Sequence, residues 1–126
     1  MHALIIEPQV FTSFMIEDAL RDAGCTSVTF ARTEEEAIAA AEERPPQIIT
    51  AAVQLDQGSG VRAVHKIRAK NSAPVVFITQ QVSKVPMEEP DILLVRKPFP
   101  VADLYPAIAE AKLRRTRAPA LEPVSA

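Results

Sequence analysis

The sequence predicts an α/β fold: a five-stranded parallel sheet, doubly wound, with helices on both faces. Three observations carry that reading. Five short apolar runs recur along the chain, each of strand length and too short for a helix. Helical start and stop signals separate most of them. The connections are short, and strand–helix–strand units joined in that way form right-handed crossovers and a parallel sheet covered on both sides.

Ala3-Leu4-Ile5-Ile6, closed by Glu7-Pro8, reads as the first strand, buried on both faces. Residues 9–23 read as a helix with Ile16, Ala19, Leu20 and Ala23 on one stripe, and Gly24 is placed to stop it. "SVTFA" (27–31) is the second strand. Thr33 and Glu36 form a capping box for a helix through about Glu43, which Pro45-Pro46 terminates. A third strand over 47–53 leads through Gly58-Ser59-Gly60 into a helix from about Val61 to Lys70, and "APVVFIT" (73–79) is the fourth strand. Residues 80–90 contain two prolines and lack a 3.6-residue period, which predicts a loop or one distorted turn. "ILLV" (92–95) is the fifth strand. A last helix follows Lys97-Pro98-Phe99, with Leu104, Ile108, Ala111 and Leu113 as its core stripe and Pro106 near its first turn. The predicted domain covers residues 1–113, and 114–126 is a Pro-rich tail expected to be loose.

Composition narrows the function. The chain has 126 residues, enough for one compact domain; 48% are hydrophobic and 24% charged, an ordinary globular balance. A net charge of −2 gives no electrostatic case for nucleic acid or an anionic membrane. The single Cys25 excludes a disulfide framework, and His2 and His65 lack metal-ligand spacing, so no metal or cofactor is expected. "MHALIIEP" has neither the basic segment nor the apolar length of a leader or anchor, and the cytoplasm is the expected location. Arg114, Arg115 and Arg117 suit the electrostatics of a helix C-terminus.

In a sheet of this kind, function sits at the C-terminal ends of the strands. Those ends carry Glu7-Pro8, Ala52-Val53-Gln54, Thr79-Gln80 and Lys97-Pro98. With the Pro46-to-Gly60 frame and Leu4-Ile5-Ile6-Glu7, this ordered set resembles the receiver domain of bacterial two-component response regulators, over residues 2 to about 113. "PVVFIT" and "VQLDQGSG" are most similar to receivers of general-stress regulators with a sigma-factor-like output domain. The resemblance implies a flavodoxin-like topology and a non-enzymatic signalling role. In a working receiver an aspartate after strand three accepts a phosphoryl group, acids after strand one help hold Mg²⁺, and a threonine and a lysine contact the phosphoryl oxygens. Carried onto this chain, the frame puts Ala52 at the phosphoacceptor position and leaves Glu7, Thr79 and Lys97 as retained residues. Pro8 offers no side-chain oxygen, Gln80 stands where a small residue is usual, and Leu94 stands where a switching aromatic is common. These four departures imply a degenerate receiver with no catalytic residue, no metal and no cofactor.

Other readings compete. Asp56 could replace the lost acceptor, although it lies four residues beyond Ala52, about 13 Å along an extended path, and a solvated turn acid is its simpler role. A flavodoxin-like small-molecule binder using Gly58-Ser59-Gly60 is a third class, which flavin colour would reveal. Thr79 reads equally as a β-branched strand end, and Lys97 as the ion-pair partner of Glu7. Val10, Phe11 and Phe14 fall off the core stripe of the first helix. They are either a contact surface or a lid folded over the emptied site. The expected partner is a signalling kinase, regulator or output protein, or a second copy in a homodimer.

Overall fold

The computed structural model describes residues 1–117, with side chains described through Arg115. In chain order the elements are β1 (His2–Ile6), α1 (Val10–Asp22), β2 (Ser27–Ala31), α2 (Glu34–Glu43), β3 (Ile48–Ala51), α3 (Gly60–Arg68), β4 (Val75–Thr79), β5 (Ile92–Arg96) and α4 (Leu104–Arg117). All five strands are parallel, in the order β2-β1-β3-β4-β5. The expected architecture is the observed one.

Alternation along buried strands builds two cores. Leu4, Ile6, Ile49, Val75 and Phe77 face α2 and α3. Ala3, Ile5, Ile48, Val76 and Ile78 face α1 and α4. Each strand contributes to both layers because successive side chains point to opposite faces. That is why β1, β3 and β4 read as largely apolar runs with no polar alternation.

Residues 80–90 hold a single 3-10 turn, Val82–Lys84, in place of a longer helix. The segment is tied down from α3, where the Arg68 guanidinium donates to the Pro90 carbonyl at 2.9 Å and lies 3.7 Å from Glu89. Val85 is its buried anchor.

The last helix departs from expectation twice. Leu104, Ile108 and Ala111 are buried, whereas Leu113 is 53% exposed. At about 100° per residue, position 113 lies roughly 180° from position 104, on the opposite side of the helix. The expected boundary after residue 113 also falls inside α4, which continues to Arg117. Arg114 supports that extra turn by pairing with Glu110 at 3.1 Å, an i,i+4 ion pair. The rest of the expected tail, 118–126, lies outside the described residues.

The loop from β3 to α3 is held by backbone bonds, among them Glu34 N–H to Gln57 O and Gly60 N–H to Val53 O, and by one carboxylate. Glu34, in the first turn of α2, accepts from the Ser59 backbone N–H at 3.0 Å and pairs with Arg62 at 3.0 Å and Lys66 at 3.3 Å. Gly58 has φ +86°, and a Cβ there would lie 2.5 Å from the Cβ of Glu34. A Cβ on Gly60 would run into the Ala52 carbonyl oxygen. The Ser59 hydroxyl accepts from the N–H groups of Val61 and Arg62, capping α3. All three residues of the turn therefore have structural roles in closing the chain over the end of β3.

The Ser59 N–H, and then the Arg62 guanidinium, lower the Glu34 carboxyl from its ordinary 4.5 to about 2. A depressed carboxylate contributes stability that is complete above the unfolded value and is lost as pH falls through the folded one. Glu34→Gln should therefore lower the thermal midpoint at pH 7. The gap between variant and parent should close as pH drops from about 4.5 towards 2, and a gap independent of pH would show that the ionised form is not what holds the loop.

Candidate functional site

Strand register brings four of the predicted residues to one edge. Ile6 is level with Ala51, and Thr79 with Arg96. Each ladder then runs one bond further: Glu7 N–H to Ala31 O at 2.9 Å, Ala52 N–H to Ile6 O at 2.8 Å, and Lys97 N–H to Thr79 O at 2.9 Å. Glu7, Ala52, Thr79 and Lys97 thus line a single cleft of about 440 Å³, with Pro8, Gln9, Gln54 and Gln80 at its margins.

One ion pair occupies its charged side. The Lys97 ammonium lies 3.2 Å from both carboxylate oxygens of Glu7 and 3.5 Å from the side-chain oxygen of Gln9. The Glu7 side chain is 1% exposed and that of Lys97 16%. The Gln9 N–H donates a further bond to Glu7 at 3.1 Å. A buried carboxylate needs this pairing, because an uncompensated charge there would carry a large desolvation penalty.

The other predicted residues are placed as follows. Ala52 is buried at the cleft floor, where its methyl group offers neither charge nor lone pair. The Thr79 hydroxyl accepts from the Gln81 N–H at 2.9 Å and so shapes the turn leaving β4. Asp56 reaches the rim, but its carboxylate pairs with Arg32 at 2.9 Å, and its N–H bonds to the Arg32 carbonyl. Leu94 packs, half-buried, against the α2–α3 core. His2 is buried, its ring bonded to the Ser27 and Thr29 hydroxyls, and burial, then Arg44, hold its pKa below the ordinary value. Among the described residues no group of three His, Cys, Asp or Glu side chains could hold a metal ion, and no helix is long and apolar enough to cross a membrane.

Val10, Phe11 and Phe14 do not fold over the cleft. Phe11 is 84% exposed and Phe14 52%, with Val10 also exposed. Two further residues extend this surface: Met15 on α1 and Phe30 on β2 are exposed, and the Phe30 ring meets Phe14 edge-to-face at 6.3 Å. Phe30 has a weak sequence signal: the apolar run of β2 looks like any buried strand until the strand order puts β2 at the edge of the sheet.

Residues 3–109 match the family described as the response regulator receiver domain. Among solved structures, the chain is similar to the receiver domain of the PhyR response regulator of Erythrobacter litoralis, at 30% identity and a TM-score of 0.80 over 89% of each chain. It also resembles the response regulator PhyR of Brucella abortus, at 34% identity and a TM-score of 0.79, covering 94% of this chain and 50% of that one. A curated relative, the transcriptional regulatory protein PdtaR of Mycobacterium tuberculosis, is 29% identical over 123 residues, covering 94% of this chain. The chain spans 60% of the length of PdtaR and half the length of the Brucella PhyR structure.

The cleft's ion pair makes a measurable demand on stability. Lys97→Met strands the Glu7 carboxylate and should destabilise the fold by on the order of 3 kcal/mol, the lower end of what breaking a buried pair costs. Glu7→Gln should cost less, about 1–2 kcal/mol, since the ammonium keeps access to water and to Gln9. Chemical denaturation of both single variants and the double variant gives the coupling; a value within about 0.5 kcal/mol of zero would mean the two groups do not depend on each other.

Proposed function

The chain belongs to the response regulator receiver domain family, the signal-receiving module of two-component systems, and on that premise we propose that it acts through constitutive protein contact without aspartyl phosphorylation. The observation that carries this reading is Ala52. It follows β3, one residue beyond the Ile6–Ala51 pair, and lines the same cleft as Glu7, Thr79 and Lys97, at the position the resemblance gives to the family's acceptor aspartate. An alanine cannot attack a phosphoryl group.

The surroundings support the same reading. Mg²⁺ requires near-octahedral oxygen ligands, normally including one or two free carboxylates. The cleft's one buried carboxylate has both oxygens on the Lys97 ammonium, Pro8 supplies none, and Asp56 is engaged by Arg32. That donor set does not fit the ion. Lys97, which would otherwise stabilise the charge on a transferred phosphoryl group, neutralises Glu7. The domain is accordingly a binding module and not an enzyme, and Glu7, Thr79 and Lys97 serve structure.

Receiver domains act on protein partners, and one solved relative is titled as the anti-anti-sigma factor PhyR from Bartonella quintana. For this chain the partner is a signalling kinase, regulator or output protein, or a second copy. The contact surface is the one formed by Val10, Phe11 and Phe14, widened by Met15 and Phe30. Contiguous exposed rings on a small domain are the expected signature of a contact site.

Incubation with acetyl phosphate and Mg²⁺ should leave the intact mass unchanged. A single phosphoryl adduct that disappears in Asp56→Asn would overturn the proposal in favour of Asp56 as acceptor. Ala52→Asp alone should remain a poor acceptor, because Pro8 still withholds a ligand.

Phe11→Ser with Phe14→Ser tests the surface. Both rings are exposed, so circular dichroism and the unfolding midpoint should stay near the parent's, while partner binding or self-association, followed by pull-down and sedimentation, is lost. A folded variant that binds and associates as the parent does would place the interface elsewhere.

A further inference from the structure

β2 ends one side of the sheet, and its outer edge is open over one short run. Ala31 turns its carbonyl inward to the Glu7 N–H, so alternation along the strand turns the N–H and C=O of Val28 and Phe30 outward. The groups at either end are already taken. The Thr26 N–H donates to the Met1 carbonyl, and the Thr26 carbonyl accepts from Arg21 at 3.2 Å. At the other end the Arg32 N–H donates to Glu36 at 2.8 Å, and the Arg32 carbonyl accepts from the Asp56 N–H at 3.1 Å. The outward groups of Val28 and Phe30 are thus left without a partner among the described residues. Edge strands are usually blunted by a charge, a proline or a bulge. Residues 27–31, "SVTFA", hold no charge and no proline, and their register with β1 runs unbroken from Ser27 to Ala31.

We propose that this edge pairs antiparallel with the same edge of a second copy, about a two-fold axis at Thr29, so that the two sheets become one. The proposal rests on the reading of α1 and β2 as the contact surface and names its occupant. Two observations select a second copy. The first is the symmetry of the open run. With Thr29 opposite Thr29 of the second copy, Val28 faces Phe30 and Phe30 faces Val28, so every outward group on both chains is bonded at once. The sealed groups at Thr26 and Arg32 leave a longer strand nothing further to bond. The second is the size of the exposed side chains. α1 packs on β1, and three strand spacings of about 4.8 Å put the two copies of β1 roughly 14 Å apart. Helices in direct contact lie about 8–10 Å apart, so the two copies of α1 leave a gap between them on that face. Val28 and Phe30 line it, since Val28 packs with the α1–α4 core and the Phe30 ring meets Phe14. Phe11, Phe14 and Phe30 are the rings that fill it. Their exposed parts come to about 360 Å² at roughly 200 Å² per ring, close to half of the ~800 Å² that each partner gives to a standard interface.

The test is cross-linking that reads the register. Thr29 occupies a non-hydrogen-bonded position in this pairing, where facing Cα atoms lie about 4.5 Å apart, within reach of a disulfide. Thr29→Cys should therefore give a near-complete disulfide dimer under mild oxidation. Ser27→Cys, which faces Ala31 of the second copy, should not, and the native Cys25 is buried. Sedimentation of the full chain should show a monomer–dimer equilibrium. Val28→Pro removes one outward N–H and no bond to β1, and should weaken association about tenfold with the circular dichroism unchanged. If that variant unfolds, Phe30→Lys, which charges the edge, should weaken association in the same way. A parent that stays monomeric, with only trace cross-linking of Thr29→Cys, would overturn the proposal. Should Phe11→Ser with Phe14→Ser still abolish binding to a partner protein, the α1 surface stands and another protein occupies it. A dimer that those two changes dissociate, but that Thr29→Cys does not cross-link, also overturns the strand pairing and sets α1 against α1. If the two changes alter neither association nor binding, the contact surface itself is lost, and the pairing with it.

Discussion

A carboxylate with almost no contact with water has to be met by a cation, and in this domain Lys97 meets Glu7. The pair joins the end of β1 to the end of β5, strands that are three positions apart in the sheet. It therefore closes the open end of the sheet across β3 and β4, at the place where parallel strands stop bonding and their backbone groups need other partners. The one-bond ladder extensions at Glu7, Ala52 and Lys97 put both charges level. Pairing in turn lets Glu7 stay buried without a metal. The cleft is thus electrostatically complete as it stands.

That completeness bears on switching. A two-state domain moves only by as much as its ligand prefers one state over the other. In a phosphorylatable receiver the ligand is the phosphoryl group, held by charges that are otherwise unsatisfied. Here the ammonium already has its anion, Thr79 is committed to the turn at Gln81, and Leu94 packs with the core. The segment from 80 to 90 is anchored by Arg68 and Val85 and holds one 3-10 turn. Each part that would sense or relay a new charge has a local structural partner. These contacts are the physical basis of the proposal that the domain acts without switching.

How much of this could be read from the sequence followed from how local the cause was. The sheet and its helices were legible because each apolar run and each cap is a property of a few consecutive residues. The Glu7–Lys97 pair was legible because strand ends in a parallel sheet converge whatever lies between them. Leu113 was misplaced because its apolar character was given more weight than its angle on the helix. The boundary drawn after residue 113 followed the end of the apolar stripe, whereas α4 runs on to Arg117, with Arg114 paired to Glu110. Glu34 gave no signal at all: its partners Ser59, Arg62 and Lys66 lie more than twenty residues away and meet it only after α2 and α3 pack. Phe30 stayed hidden because edge and centre strands look alike until the strand order is known.

The exposed rings then acquire their meaning from what surrounds them. A small domain with a sound core has no need of Phe11 for stability, since at 84% exposure the ring buries little area in the fold. Phe14 and Phe30 do pack on each other, yet both remain about half exposed, so their contact still leaves apolar surface in water. Such a surface raises the risk of nonspecific association, most of all beside the edge strand β2, whose outer backbone groups are unpaired within the sheet. Its cost to solubility argues that it is there to be covered. Together with a cleft whose charges are already neutralised, that exposed surface is the ground for proposing α1 and β2, and not the strand ends where its family does its chemistry, as the place where the domain meets its partner.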